Sequence, residues 1–160
     1  MFETLCTGEG GEEKRRFYPP AYLGLAALLM VGLHLLVPIT QLVQGPYRYL
    51  GFLLLAAGLG IVIWVNAMFQ HAGTTIKPFE ESSALVVGGP FRYSRNPIYV
   101  GMVVFLLGVG VLLGSLTPLL VIPIFAFIIQ RRFIHAEEAM LARTFGAHYD
   151  EYRARVRRWI

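Results

Sequence analysis

Arg92, Arg95, Asn96, Pro97 and Tyr99 stand close together in GGPFRYSRNPIYVG, residues 88 to 101, at the entrance to an apolar run. Glu137 and Glu138, with His135 beside them, follow a later apolar run. Two guanidinium groups, a helix start with free N–H groups, a Gly-Gly-Pro turn where backbone can approach a ligand, and two adjacent carboxylates make a set of mixed charge. Such a set suits a ligand that carries both a carboxylate and cationic centres. The plainer account is structural. Asn96 is a good N-cap, Pro97 suits the first helical position, and the residue before a proline avoids helical geometry. On that account the arginines answer lipid phosphates, Tyr93 and Tyr99 join an interfacial aromatic belt, and the glutamates make exposed ion pairs of little worth.

The elements that must position these residues are apolar. Four stretches, about 18–37, 49–69, 97–114 and 116–134, each come near the ~17 to 25 residues that cross a bilayer as a helix. The third is short and glycine-rich, and the fourth contains Pro118 and Pro123. GSLTP makes a tight turn between them, so Pro97, eighteen residues before Ser115, is level with Phe133, eighteen residues after it. The next helical turn then hangs His135, Glu137 and Glu138 beside Arg92 and Arg95. The tail predicts a helix through about Phe145, a break at Gly146 and a second amphipathic piece. Leu141, Phe145, Tyr149, Tyr152 and Val156 give it one apolar face, to lie on the membrane or on the loop.

The whole chain fits this reading. With 56% hydrophobic and 15% charged residues among 160, it is expected to be an all-α polytopic membrane protein with four transmembrane helices and a cytoplasmic amphipathic C-terminal helix. One domain, 1–160, comprises a flexible head (1–16), a loop (71–96) and a tail (135–160). The head has no apolar core or small-residue cleavage site, so the first apolar stretch is expected to stay as an anchor. Cys6 is the single cysteine and cannot form an internal disulfide.

Lys14, Arg15 and Arg16 precede the first stretch, and Lys77, Arg92 and Arg95 lie between the second and third. Arg131, Arg132, Arg143, Arg153, Arg155, Arg157 and Arg158 follow the fourth, and only Arg48 falls on the opposite side. Cytoplasmic loops retain Lys and Arg, so both termini and the 71–96 loop are expected in the cytoplasm. The basic tail against anionic lipid accounts for the net charge of +4 without nucleic acid.

GPFRYSRNPIYVG, followed after a glycine-rich hairpin by EEAMLARTFGAHYDEYRARV, resembles the isoprenylcysteine carboxyl methyltransferase and phospholipid methyltransferase family of integral membrane enzymes. The resemblance covers roughly residues 73–156. It rests on two motifs in combination, an R-[HN]-P-x-Y-x-G entry into one span and an E-E-x-x-L…F-G-x-x-Y-x-x-Y block after the next. It implies S-adenosylmethionine as methyl donor at the cytoplasmic mouth of the last two spans, with a lipophilic acceptor entering from the bilayer. By motif, Arg95, Asn96, Pro97, Tyr99 and Gly101 match the first block, and Glu137, Glu138 and Leu141 the second. Asn96 stands where the prenylcysteine enzymes usually carry histidine, so a prenylcysteine carboxylate, a phospholipid amine and a small thiol or acid all stay open as acceptors. The chain ends at RRWI where many relatives continue, so part of the substrate site is expected to be missing or replaced by the first two spans.

The candidate assignments follow. Arg95 and Glu138 are the catalytic candidates. Gly89, Arg92, Tyr93, Asn96, Pro97, Tyr99, Gly101, His135, Glu137 and Glu138 are the cofactor-binding candidates. Asn66 and Gln70, one helical turn apart, and Tyr149 are candidates for the acceptor; interhelical hydrogen bonding is the plainer use of the first two. His34 reads as a satisfied packing histidine. His135 and Glu138 have metal-ligand spacing, but no further cluster supports a metal. Competing functions are an NADPH-dependent membrane reductase, with arginines on phosphates, and a non-catalytic membrane scaffold. The expected location is a prokaryotic inner membrane; oligomeric state is open.

Overall fold

A computed structural model of the chain describes residues 18–71 and 85–160. Cys6, the basic residues of the head and Lys77 lie outside the described residues. The regular elements among the described residues are all helical and no strand forms, apart from an isolated bridge between Gln41 and Ser115. Helix α1 is Pro19–Leu36, α2 Leu50–His71 and α3 Pro97–Leu113. A short α4, Leu116–Leu119, leads into α5, Val121–Ile129, with the break between them one turn ahead of Pro123, whose missing N–H cannot bond Leu119 O. A π-helical turn, Gln130–Ile134, joins α5 to α6, His135–Phe145, and Gly146 separates α6 from α7, Ala147–Arg155.

Among the described residues, three helical stretches are long and apolar enough to cross a membrane: Pro19–Leu36, Gly45–His71 and Leu116–Phe145. Pro97–Leu113 is apolar but shorter, so one of the four expected spans falls below that length. The outward faces are lipid-like. Leu28, Leu35 and Leu36 on α1, Phe52 and Leu53 on α2, and Ile124 and Phe127 on α5 are all more than half exposed, far more apolar surface than a protein in water leaves open. The chain is an integral membrane protein by this surface.

Two antiparallel seams hold α3 in the middle. Against α2 the backbones nearly touch: a Cβ at Gly58 would come 2.6 Å from Gly101 O, and one at Gly108 would come 2.8 Å from Gly51 O. Only glycine at these positions lets the helices approach so closely, the small-residue packing that lipid-embedded helices use in place of hydrophobic drive. Against α5, Leu106 and Met102 of α3 meet Ile122, Phe125 and Ile129, with Met30 of α1 closing the cluster. Where α3 ends, the linker after α1 is stitched to the turn, Leu42 and Val43 N–H to Gly114 O and Leu116 N–H to Thr40 O.

The tail's apolar face had two possible beds, membrane or loop, and it takes the loop. Tyr149 and Tyr152 are buried against Val65 and Phe91, with Leu141, Phe145 and Val156 around them. Tyr152 fixes the contact by donating its hydroxyl hydrogen to Phe91 O at 2.8 Å.

Candidate functional site

The site lies where α3 begins. Phe91 and Pro90 are buried in a 3-10 turn, Gly89–Arg92, that leads into Ser94, Arg95 and Asn96. Gly89 has φ +55, and a Cβ there would meet Met68 Sδ at 2.8 Å, so the Gly-Gly-Pro turn seats against α2. The glycine serves packing as well as turn geometry.

From the other side come the carboxylates. The hairpin brings the start of α3 to Phe133, as the count from Ser115 predicts to within a helical turn: the Tyr99 and Phe133 rings lie 6.5 Å apart, and α6 brings its first turn to the start of α3. Glu137 Oε1 accepts a hydrogen bond from the Tyr99 hydroxyl at 2.7 Å. Glu138 Oε1 lies 3.4 Å from Arg95 Nη1. Adjacent glutamates differ by about 100° around an α-helix, yet both reach α3, because one meets a residue a turn inside it and the other meets the loop before it. The π-turn sets this phase, burying Phe133 and Ile134 and leaving His135 exposed.

A third group joins that the motifs did not single out. Arg158 grips Glu138 with a fork, Nε at 3.1 and 3.2 Å from the two carboxylate oxygens and Nη2 at 2.7 Å from Oε2. The peptide around it folds back over the start of α3: Arg95 N–H donates to Arg157 O at 2.9 Å, and Asn96 Nδ2 donates to Arg158 O at 3.1 Å. Ser94 Oγ donates to the same Arg158 carbonyl at 3.3 Å. Trp159 Nε1 then donates to Gln130 Oε1 at 2.8 Å, at the start of the π-turn.

The arrangement corrects several expectations. Asn96 stands at the N-cap position, but its side chain makes no cap bond; it holds the tail instead. The helix start is not an open set of N–H groups, since Tyr99 and Val100 N–H both bond to Asn96 O. Arg92 and Tyr93 are exposed, as is His135, and none of them meets the glutamates. Asn66 and Gln70 share an exposed face of α2 while Val65 between them and the core is buried. Gly101 faces Gly58 in the helix seam rather than the mouth. Pro97 is buried at the first turn of α3. His34 Nδ1 pairs with Ser115 Oγ at 2.7 Å, which is the packing histidine expected.

What remains chemically unspent is concentrated at Arg95. Its side chain is 9% exposed, and its Nε and Nη1 make no hydrogen bond among the described residues. The hydroxyl of Tyr149, a residue 1% exposed, is buried beside this guanidinium and likewise lacks a well-aligned hydrogen bond among the described residues. Burial pushes the Tyr149 hydroxyl above its ordinary pKa, the Glu138 charge pushes it further, and the nearby Arg95 guanidinium opposes both, so it stays a neutral donor. Hydrogen bonding to Glu138 raises Arg158 above its ordinary value and keeps it charged. Buried donors that native structures leave unpaired are few, and a cation with two of them beside a tyrosine hydroxyl is equipped to receive an anion.

Comparison with known proteins gives these residues a context. The family model described as phospholipid methyltransferase matches residues 46–148. A protein-S-isoprenylcysteine O-methyltransferase of Schizosaccharomyces pombe is 35% identical over 109 residues, 67% of this chain and 45% of the relative. A protein of the same name from Saccharomyces cerevisiae is 36% identical over 91 residues, 55% of this chain and 36% of the relative. The chain thus spans less than half the length of these curated relatives. No solved structure gives a significant match.

Proposed function

The chain belongs to the phospholipid methyltransferase family, and from that premise we propose that it transfers a methyl group from S-adenosylmethionine to a lipophilic acceptor with a prenylcysteine-like carboxylate. The reaction takes place at the membrane surface where α3 begins. The observation that carries this reading is the Arg95 guanidinium, buried with Nε and Nη1 making no hydrogen bond among the described residues, beside the Tyr99–Glu137 and Glu138–Arg158 pairs. The names of the two yeast relatives favour a prenylcysteine over a phospholipid amine or a small thiol.

The residues fit the methyl donor by charge. S-adenosylmethionine carries a carboxylate, an ammonium and a sulfonium, and when bound it supplies a methyl group that is already activated. Arg95 and the Tyr149 hydroxyl are donors for a carboxylate; Glu137 and Glu138 supply the negative side for cationic centres. No covalent nucleophile is needed. The chain's own contribution is alignment and exclusion of water, effects worth about 7 to 11 kcal/mol when reacting atoms are well placed. Arg95 orients an anionic acceptor, and Glu138 takes the proton when the acceptor is an amine or thiol.

The membrane arrangement in this reading has four spans, α1, α2, α3 and 116–134, with both termini and the 71–96 loop in the cytoplasm. With 17 residues, α3 rises about 25 Å, somewhat less than the ~30 Å hydrocarbon core. The seam glycines pair it antiparallel with the longer α2, which favours a crossing for both.

The test is incorporation of label from S-adenosylmethionine into a prenylated cysteine with a free carboxylate, with its methyl ester as control. Label in the acid and none in the ester supports the reading. Label appearing only in a phospholipid amine or a thiol overturns the acceptor, and none in any acceptor by folded protein overturns the activity. A Glu138→Gln variant that binds donor and turns over like the parent removes Glu138 from the mechanism.

A further inference from the structure

Glu138 has two basic neighbours but bonds only one of them. Arg158 takes both carboxylate oxygens, while Arg95 Nη1 stays at 3.4 Å without hydrogen-bond alignment. A guanidinium fork and a carboxylate this close would ordinarily close into a bidentate pair. From this we infer that Arg158 is a positioning residue: by holding Glu138 it keeps Arg95 unpaired and available to the carboxylate of a ligand. The tail backbone delivers Arg158 to its place. Arg157 O and Arg158 O are bonded by Arg95 N–H, Ser94 Oγ and Asn96 Nδ2, and Trp159 is tied to Gln130 beyond them. The segment around Arg158 is therefore part of the site.

Removing Arg158 leaves Glu138 with Arg95 as its nearest cation, and the two close on each other. The anion site then fills itself. The ligand concerned carries a carboxylate, and both the methyl donor and a prenylcysteine acceptor do, so the two KM values separate the sources. This kinetic arm rests on the methyl-transfer reading; a spectroscopic arm does not.

The experiment uses the full chain in nanodiscs, comparing the parent with Arg158→Ala and Arg158→Lys. In Arg158→Ala the KM of one carboxylate substrate, donor or acceptor, is expected to rise about tenfold or more with kcat nearly unchanged, the scale of a lost charge-assisted hydrogen bond. Arg158→Lys keeps the charge without the fork and falls between, and added methylguanidine lowers the Arg158→Ala KM. Independently of turnover, the 15N-labelled Arg95 Nε–H signal is expected to shift and exchange more slowly with water in Arg158→Ala, as Glu138 moves onto it. An unchanged Arg95 signal, or a fall in kcat alone with both KM values constant, overturns the inference. A parent that methylates nothing while its Arg95 signal responds to Arg158→Ala refutes the functional reading and leaves the positioning role standing. If Arg158→Ala fails to fold, Arg158→Lys carries both arms with smaller shifts.

Discussion

At the end of the bundle where α3 finishes, each buried polar group has found a partner. Ser115 Oγ meets His34 Nδ1 at 2.7 Å, and Thr117 Oγ1 donates to Val37 O at 2.7 Å while accepting from Ile39 N–H. Arg48 Nε closes that end on Leu112 O at 2.8 Å. At the end where α3 begins, Arg95 and Tyr149 bury polar atoms that make no hydrogen bond among the described residues. Both ends bury polar groups, and burial penalises an unpaired donor at either. The difference teaches where to look for a ligand: one end is closed by its own bonds, and the other is completed by something it binds. Mutations that separate activity from stability test this directly.

The largest effect is expected from Arg95→Ala. If Arg95 receives a carboxylate in the reaction, kcat/KM for the prenylcysteine acid should fall about 100-fold or more, equivalent to about 2.7 kcal/mol of transition-state stabilisation. The melting temperature in detergent should change little, because the ion pair of Arg95 with Glu138 is long and Arg158 holds the same carboxylate. A variant that loses stability while keeping its kcat/KM would make Arg95 structural and erase the contrast between the two ends.

Between the ends runs the seam that both depend on. Gly101→Leu would place a Cβ 2.9 Å from Gly58 O and press further atoms on Val62, at a cost of about 1 to 3 kcal/mol or more for overpacking. Stability and activity should fall together here, as thermal unfolding and turnover on the same preparation would show. Loss of activity in a variant of unchanged melting temperature would return Gly101 to the ligand site its motif suggested.

These contrasts also mark what the sequence could and could not disclose. Eighteen residues each way from Ser115 bring Glu137 and Glu138 to within a turn of the start of α3, because both arms of the hairpin are helical and rise by nearly the same amount per residue; the π-turn that sets their phase carries no such signal. The sequence around Asn96 signals a cap because a capping bond is local, while the Arg158 carbonyl that takes its amide is 62 residues away. Arg158 itself was counted among charges facing lipid, since RVRRWI carries no period or motif that separates a gripping arginine from a snorkelling one. Gly101 shows the same limit: a glycine admits a ligand or another backbone, and only Gly58 across the seam decides which.

Ser115→Ala tests the closed end. It strips His34 of its partner in a site where Ser115 is fully buried, which should lower stability by about 1 to 2 kcal/mol. Turnover per folded molecule should equal the parent's, measured after correcting for active fraction. A drop in kcat/KM comparable to that of Arg95→Ala would mean that the two ends are coupled through α3.

Arg48→Ala is expected to have the smallest effect and draws the line most finely. Arg48 bonds two carbonyls of the last turn of α3, Leu112 O at 2.8 Å and Leu113 O at 3.3 Å. A cation there also opposes the negative end of the helix dipole, so its removal should cost about 0.3 to 1 kcal/mol. Water and lipid headgroups can replace those bonds because the contact is exposed, which is why the loss stays small. Arg95 and Arg48 thus compare the same side chain at opposite ends of one helix, the first with donors left over and the second with donors answered by carbonyls. A melting temperature lowered by only a few degrees with kcat/KM intact in Arg48→Ala, set against the reverse pattern in Arg95→Ala, would show that the unpaired donors, rather than arginine at a helix end as such, make the functional end.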